Sequence, residues 1–318
     1  VLKRASLIDG ARKRNWKQLP AMIDYITSKD RDEVFATSLV RMIPASGDQQ
    51  IVPVLLAAMK DPSPLMRGAA ADALQHVSSR EAVQSLIKAA SDDYRLVRIR
   101  AASSLAAYPN LALKEADKNP VEAANKEYLA SLTARPDLWL SHYNLGNYYL
   151  NRNDLKKAIM SYDTALKLEP GAVLALVNES MAYARMGDNK HAVESLNKAL
   201  KVDQNNAVAN FNMGLLKAEQ NDPAAAERHF KKALKADPQM AQAAYNLCVI
   251  TSKDRINEAI TWCRKASDLS PQEPRYSYTL AFYLSQNGEK FEAIRVLKAT
   301  LDKHPEYKNA EMLLKEIS

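Results

Sequence analysis

Side chains suited to binding an extended peptide recur at a fixed interval in the second half of the sequence. Four asparagines are evenly spaced: Asn144, Asn178, Asn212 and Asn246. A side-chain amide can donate a hydrogen bond to a peptide main chain and accept one from it. The residue before three of them is aromatic, and aromatic side chains are enriched among the residues that dominate binding energy. The constant interval predicts that these residues occupy equivalent positions in a repeated structural unit.

Ten residues form the predicted partner-binding surface. They are Tyr143, Asn144, Asn147, Asn178, Phe211, Asn212, Tyr245, Asn246, Tyr278 and Phe282. Tyrosine and asparagine can also bond within and between helices, so a purely structural role for the same residues stays open.

No residue pattern in the chain predicts catalysis or metal binding. The sequence lacks a glycine-rich phosphate loop, a nucleophile elbow and an H-E-x-x-H metal motif. Its five histidines are scattered along the chain: His76, His142, His191, His229 and His304. Each is expected to be a surface or half-buried structural residue and not a base or a haem ligand. We therefore expect a chain that is not an enzyme, with no catalytic residue, no metal site and no cofactor of its own.

Two cysteines, Cys248 and Cys263, are too few for a disulfide framework. Their spacing matches neither a zinc site nor the C-x-x-C-H motif of covalent haem attachment. A buried cysteine behaves as a small hydrophobic residue, and both are expected to fill space in the core. The sequence leaves open whether the two pair with each other.

Composition favours an all-α fold of helices joined by short turns. Of 318 residues, 47% are hydrophobic, which is enough for a sizeable core, and only eight are glycine. No apolar run is long enough to span a bilayer and no signal-peptide pattern appears, so the residues present are expected to be soluble. The chain opens on Val1 instead of Met, which suggests a processed protein or a piece of a longer one.

Positive charge is concentrated at the front of the chain. Residues 1–120 carry a net charge of +5, and residues 121–318 carry +2. A basic patch could attract nucleic acid, phospholipid or acidic proteins. The basic residues nearest the start are Lys3, Arg4, Arg12, Lys13, Arg14 and Lys17. No nucleic-acid module accompanies them, so a solvated helix face is favoured, and neither nucleic acid nor a membrane surface is expected as a partner.

The constant interval of the asparagines belongs to a complete repeat. The segment 139–172 carries Leu145 and Gly146 on its first predicted helix and Tyr162 on its second. Equivalent segments follow at 173–206, 207–240, 241–273 and 274–307. The pattern, with its period of about 34 residues, resembles the tetratricopeptide repeat (TPR). The resemblance implies a right-handed superhelix whose first helices line a concave groove and whose small residues let paired helices approach closely. A final amphipathic helix is expected to cover the last repeat with Met312, Leu313, Leu314 and Ile317.

The predicted groove differs from that of TPR domains that bind chaperones. In those domains, Lys and Arg side chains clamp a C-terminal carboxylate. Such cations are missing at the matching positions of this sequence, and the resemblance therefore implies a groove suited to neutral, apolar or aromatic segments.

A different repeat precedes the first TPR. Asp61 is followed by Arg67, and the same pattern returns one repeat later with Asp92 and Arg98. This spacing resembles the HEAT repeat, in which such Asp and Arg side chains form a ladder between neighbouring units. A weaker copy around Val34 lacks the arginine. We predict an α-solenoid with HEAT-like repeats over 1–119, a splice helix over 120–138, five TPR repeats over 139–307 and a capping helix over 308–318.

The order of HEAT repeats, splice helix and TPR repeats, with phrases such as LVRIRAASSLAAYP, resembles the C-terminal half of bacterial multihaem c-type cytochromes that carry both repeats. The resemblance implies a non-catalytic scaffold in the periplasm, or otherwise outside the cytoplasm, that serves as the docking arm of an exported multihaem cytochrome. Its partner would be a protein or peptide segment, for example of a cytochrome or another redox protein. The sequence has no haem-attachment motif, so c-type haem would belong to a domain outside this chain. The alternative is an electron-transfer protein whose haem domain contacts this region directly, for example at His142.

Overall fold

Helices form all the regular structure of the described residues, which confirms the predicted all-α fold. The computed structural model describes residues 2–75, 77, 79–108 and 111–318. Val1, His76 and the side chain of Lys3 lie outside this described part. The chain divides into two compact units, unit 1 over Val1–Leu168 and unit 2 over Glu169–Ser318.

Unit 1 contains ten of the α-helices. They are α1 Leu2–Arg12, α2 Leu19–Thr27, α3 Glu33–Met42, α4 Ile51–Ala58, α5 Pro64–Leu74, α6 Arg80–Ala89, α7 Arg95–Leu105, α8 Glu115–Thr133, α9 Trp139–Asn151 and α10 Leu155–Leu168. Local sequence signals explain several of their starts. At α5, the Ser63 side chain accepts hydrogen bonds from the first backbone N–H groups, and Pro64 occupies the first helical position, where a missing N–H costs nothing.

A ladder of arginine and carboxylate side chains joins successive helix pairs of unit 1, as the sequence predicts. Arg67 Nε donates to Asp92 Oδ2 over 2.7 Å, and a second nitrogen of its guanidinium donates to the Asp61 carbonyl over 2.8 Å. Arg98 repeats both contacts one step along, with a 2.8 Å bond to Glu127 Oε1. Because Glu127 lies on α8, the ladder attaches this helix to the pairs before it.

The ladder also extends toward the N-terminus, to the weaker repeat copy in which no arginine occupies the expected helical position. Arg31, which precedes α3, forms an ion pair with Asp61. The weaker copy around Val34 thus has a ladder arginine after all, but it lies in the turn before the helix instead of within it. A comparison of helical positions alone could not find it.

Helix α8 begins at Glu115, five residues before the predicted start of the splice helix. The prediction treated Pro120 as a boundary, but this proline lies inside the helix. Its ring removes a single backbone hydrogen bond near the start of the helix, where few such bonds exist yet. The remaining turns of α8 compensate for that loss, since they bury Ala124 and Leu132.

Unit 2 consists of four helix pairs and a last single helix. Its helices are α11 Val173–Arg185, α12 Asn189–Val202, α13 Ala207–Glu219, α14 Pro223–Ala236, α15 Ala241–Thr251, α16 Ile256–Leu269, α17 Pro274–Gln286, α18 Lys290–Lys303 and α19 Lys308–Ile317. The two helices of each pair pack together, and each second helix also packs against the first helix of the next pair. A pair therefore buries its apolar side only with the help of its neighbour.

A small residue facing a large one sets the close approach within a pair. A methyl group added at Gly214 on α13 would lie 2.6 Å from Cε1 of Phe230 on α14, too near for any real side chain. In unit 1, Gly146 stands in the same relation to Tyr162, at 2.4 Å. Both rings are completely buried. The predicted role of the small residues is confirmed at these two pairs.

The pair α15 and α16 replaces this contact with a covalent bond. Cys248 and Cys263, which occupy the positions of the small and the large residue, form a disulfide with their Cα atoms 5.1 Å apart. Both side chains are completely buried, as predicted. The sequence left their pairing open, and the disulfide forms because their positions face each other across the helix pair.

Helix α19 closes unit 2 by packing against α17 and α18. Leu313 and Ile317, four residues apart on one side of the helix, are buried. Met312 does not take part as predicted: its side chain is 68% exposed, because it lies on another side of the helix. None of the helices in the described part of the chain is both long and apolar enough to cross a membrane.

Candidate functional site

Unit 2 exposes apolar side chains on the first helices of its pairs. Residues three and seven positions apart share one side of an α-helix. We call the resulting surface the first-helix face; it consists of Leu174, Val177 and Met181 on α11, Val208, Phe211 and Leu215 on α13, Gln242, Tyr245 and Val249 on α15, and Arg275, Tyr278 and Phe282 on α17. Val177 is buried, and the other members are half-buried or exposed. Leu174 is 55% exposed, Val208 48% and Val249 43%.

The predicted aromatic residues of unit 2 form the floor of this face. Each is half-buried, and its ring contacts a second ring: Phe211 with Phe230, Tyr245 with Tyr276, Tyr278 with Tyr307, and Phe282 with Tyr283. The Arg275 guanidinium lies 4.9 Å from the centre of the Tyr245 ring, within cation–π distance. These rings therefore support the fold as well as offering an apolar surface.

The asparagines beside the aromatic residues differ from one another. Asn246 donates to the Gln242 carbonyl of its own helix over 2.8 Å. Asn212 Nδ2 is shielded from solvent and has no acceptor among the described residues, whereas Asn178 is half-buried and does have a bonding partner. Such an unmet donor costs free energy unless a further group accepts its hydrogen bond.

The three predicted residues of the first TPR-like pair belong to unit 1. Tyr143 is half-buried with its ring 6.0 Å from that of Trp139, and Asn147 Oδ1 accepts a 2.7 Å hydrogen bond from the Tyr162 hydroxyl. Asn144 is exposed and borders a pocket of unit 1. Of the three, only Asn144 presents its side chain to solvent.

The prediction did not include the most exposed members of the first-helix face. Leu174 and Val208 are separated by the same interval as the asparagines, and Leu140, one interval before Leu174, is 48% exposed in unit 1. The interval that identified the asparagines could therefore have identified this apolar series. It was missed because exposed leucine and valine are common on protein surfaces and carry no hydrogen-bonding group.

The described histidines do not converge on one place. His142, His229 and His304 are half-buried and His191 is exposed, as expected for structural residues. Burial, together with nearby Lys232 and Arg228, lowers the pKa of His229. No group of three or more His, Cys, Asp or Glu able to hold a metal ion occurs in the part of the chain that the structure describes.

Comparison with protein families matches the two kinds of helix pair separately. Residues 19–106 match a family described as HEAT repeats. Three matches to the tetratricopeptide repeat cover residues 139–171, 174–206 and 211–274. The chain contains HEAT repeats and TPR repeats. Stacked repeats of both kinds build extended surfaces that bind other proteins.

Three similar solved structures each match between 54% and 58% of the chain. A crystal structure of MamA protein is 23% identical and covers 54% of this chain and 93% of its own, with a TM-score of 0.47. YrrB, described as a TPR protein with an unusual peptide-binding site, is 18% identical over 58% of this chain and 96% of its own, with a TM-score of 0.47. PilF of Pseudomonas aeruginosa is 21% identical and covers 54% of this chain and 78% of its own, with a TM-score of 0.49. Comparison with curated proteins finds no match.

Proposed function

We propose that the chain is a non-catalytic scaffold that binds an extended segment of a partner protein on the first-helix face of unit 2. The observation that carries this proposal is the exposure of Leu174, Val208 and Val249 on that face. Covering apolar surface contributes about 25 cal/mol per Å². Contiguous exposed apolar residues commonly mark an interaction site.

The chemistry of the face favours a neutral segment rich in apolar or aromatic side chains. Arg275 is the single charged residue of the face as defined, and its guanidinium already lies over the Tyr245 ring. Beside the apolar residues, the Nδ2 of Asn212 lacks an acceptor among the described residues. This atom is shielded from solvent, so a partner carbonyl oxygen reaches it only when the groups that cover it move.

A peptide selection tests the proposal directly. A random peptide library is selected on the full chain, and the affinities of the selected peptides are measured by fluorescence anisotropy. The double variant L174Q/V208Q is expected to lower their affinity about tenfold, or about 1.4 kcal/mol. Both side chains are exposed, so the variant should unfold at the same temperature as the wild type. Tyr245 is a poorer probe, because its ring also packs on Tyr276.

The matched control is Phe291→Gln. Phe291 is 92% exposed, but it lies on the second helix α18 and therefore outside the first-helix face. Its replacement should leave the affinity unchanged. Selected peptides that are predominantly charged, or an equal loss of affinity in L174Q/V208Q and F291Q, would refute binding on this face.

A location outside the cytoplasm is part of the proposal and is supported by the disulfide. Stable structural disulfides form mainly in secreted or periplasmic proteins, because the cytosol keeps thiols reduced. The resemblance to multihaem cytochromes with HEAT and TPR repeats suggests a more specific role, that of a docking arm for an exported cytochrome or another redox protein. In the alternative, a haem domain outside this chain contacts it directly for electron transfer.

Isolation from the native source distinguishes these roles. A protein with a mass far above 35.4 kDa and a Soret absorbance band would support the docking arm. A colourless species near 35.4 kDa would argue against it and leave a free-standing scaffold. Direct electron transfer further requires that perturbing His142 changes the rate of haem oxidation, whereas docking alone does not.

A further inference from the structure

A second candidate site belongs to unit 1, whereas the first-helix face belongs to unit 2. A pocket of about 590 Å³ opens between α3, α5, α7, α8 and α9. This volume is within the range typical of ligand pockets. Three of its lining residues, Arg41, Asp72 and Ser103, are evenly spaced in the sequence, at the interval that separates Asp61 from Asp92. They therefore occupy equivalent positions in successive HEAT repeats, and the pocket is a product of the repeat architecture.

The charged groups of the pocket leave it with a net positive charge. Arg41, Asp72 and Arg100 are its charged lining residues. An Arg100 nitrogen lies 3.4 Å from Asp72 Oδ2. Arg41 has no ion-pair partner within the described ranges and is exposed. Two guanidinium groups therefore share a single carboxylate, and one positive charge is not neutralised.

The two arginines do not fully offset the effect of burial on the Asp72 carboxylate. Burial raises the pKa of Asp72, against the opposing effects of Arg100 and then Arg41. The guanidinium groups thus compensate only partly for the loss of water around this carboxylate. Guanidinium groups suit carboxylates well, since each can form two parallel hydrogen bonds to the same group.

The other lining residues offer both hydrogen-bonding groups and apolar surface, as a peptide ligand requires. Ser103, Tyr128 and Asn144 contribute hydroxyl and amide groups from three different helices. Leu96, Ile99 and Leu132 provide an apolar surface beside them. The combination of a few polar groups with an apolar wall is characteristic of binding pockets that fix the orientation of a ligand.

We propose that this pocket binds a peptide carboxylate between Arg41 and Arg100, with an adjacent apolar side chain packed on Leu96, Ile99 and Leu132. The carboxylate is that of a Glu or Asp side chain or that of a peptide C-terminus. A single negative charge matches the net charge of the pocket, whereas a doubly charged phosphate would exceed it and would be repelled more strongly by Asp72. This site takes an anionic ligand, unlike the first-helix face, and does not depend on it.

Three fluorescein-labelled peptides test the site on the full chain by fluorescence anisotropy. The first is a Leu and Gln peptide with an amidated C-terminus, the second replaces one Gln with Glu, and the third is the first peptide with a free C-terminus. Binding of the second or third peptide at least tenfold tighter than the first is the expected result, and the better of the two identifies the source of the carboxylate. Equal binding of all three would overturn the proposal.

Two variants with opposite expected effects identify the pocket. Arg41→Gln should weaken binding of the carboxylate peptide about tenfold, because it removes the unpaired guanidinium. Asp72→Asn keeps the size of the side chain and removes the competing charge, so it should strengthen binding about threefold. A purely structural role of Asp72 predicts no gain. If either variant has altered helicity or thermal stability, the other decides the test.

The control variant is Arg80→Gln. Arg80 is exposed at the start of α6 and does not line this pocket. Arg80→Gln should leave binding of the carboxylate peptide unchanged at an ionic strength of about 0.15 M. Equal weakening by R41Q and R80Q would show that the positive charge of unit 1 attracts the peptide without a defined site, and the proposal would then fail.

Discussion

Units 1 and 2 both join successive helix pairs with ion pairs, but these ion pairs differ in burial. In unit 1, Arg31, Arg67 and Arg98 each reach a carboxylate in the next pair. In unit 2, Arg255 and Arg264 each reach a carboxylate in a neighbouring pair, but their side chains are 45% and 41% exposed, and a disulfide links the two helices of one pair. The same stacking of helix pairs is therefore accompanied by more deeply buried ion pairs in unit 1, and by more exposed ion pairs and a disulfide in unit 2.

The two units also offer different surfaces to partners. Residues 1–168 contain 24 Lys and Arg against 18 Asp and Glu, a net charge of +6, whereas residues 169–318 carry +1. The pocket of unit 1 is lined by arginines, and the first-helix face of unit 2 is apolar apart from Arg275. The units are thus suited to segments of different chemistry, an anionic one and a neutral one.

Of the predicted changes, removal of the disulfide should have the largest effect on stability, and this effect should be confined to unit 2. The double variant C248S/C263S is expected to lower the free energy of unfolding of unit 2 by about 3 kcal/mol, as for a closed loop of about 15 residues. Unit 1, which contains no cysteine, should be unaffected. Denaturation with urea, followed by hydrogen exchange that reports on each unit separately, measures both. An equal loss in the two units would contradict their independent stabilisation.

A second pair of substitutions sharpens this test. The variant C248G/C263F restores the small and large residues found at Gly214 and Phe230. If packing and the covalent bond are interchangeable at this position, C248G/C263F should recover part of the stability that C248S/C263S loses. No recovery would indicate that this repeat, whose first helix α15 has 11 residues against 13 in α13, no longer lets the two helices approach in the same way.

Replacement of Arg67 should be the next largest effect, and it should be confined to unit 1. Its side chain is only 14% exposed, and Arg67→Met would leave Asp92 unpaired and two carbonyl groups without their donor. Burial acts to raise the pKa of Asp92, but hydrogen bonds from Arg67 and from the Tyr94 N–H keep it below its ordinary value. We expect a loss of about 2 kcal/mol in urea denaturation.

The control for Arg67 is Lys118→Met in the same unit. Lys118 pairs with Glu115 three residues away on α8, and both side chains are exposed. Exposed pairs contribute little, so the expected change is below about 0.5 kcal/mol. If K118M were as destabilising as R67M, the ladder would have no special role.

The repeat spacing predicted most of the fold but not the contacts that depend on facing positions. Trp139 and Pro274, the first residues of predicted repeats, also begin helices. The sequence left the pairing of Cys248 and Cys263 open, although a signal for it was present: the two cysteines replace a small and a large residue that face each other in other repeats. The predicted helix start at Pro120 was wrong. Proline is usually tolerated only in the first turn of a helix, but the packing of the later turns of α8 compensates for a proline inside it.

The repeat spacing also predicted the positions of the candidate site residues but not their exposure or their contacts. The constant interval found the asparagines and aromatic rings, but their exposure depends on which neighbours cover them, and the sequence does not state this. Tyr245 is half-buried under Arg275, for example, whereas Val208 is open to solvent. In unit 1, the equal spacing of Arg41, Asp72 and Ser103 was readable, but only the arrangement of five helices makes a pocket of them.

The smallest predicted effect concerns an ion network of unit 2 and its response to acid and salt. Arg255, and to a lesser extent Lys231, lower the pKa of Glu227 to about 2. Because the folded-state pKa lies below the ordinary value of 4.5, this stabilisation is complete above about pH 4.5 and is lost as the pH falls toward 2. Glu227→Gln should therefore cost about 1 kcal/mol at pH 6 and nothing near pH 2.

Salt separates this network from the ladder of unit 1. The Arg255 side chain is 45% exposed, against 14% for Arg67, so added salt screens the Glu227 network far more strongly. In urea denaturation at pH 6 with about 1 M NaCl, the cost of Glu227→Gln should nearly vanish, whereas the cost of Arg67→Met should persist. A salt-sensitive Arg67 would mean that the ladder is a surface feature like the network of unit 2, and the contrast between the two units would then rest on the disulfide alone.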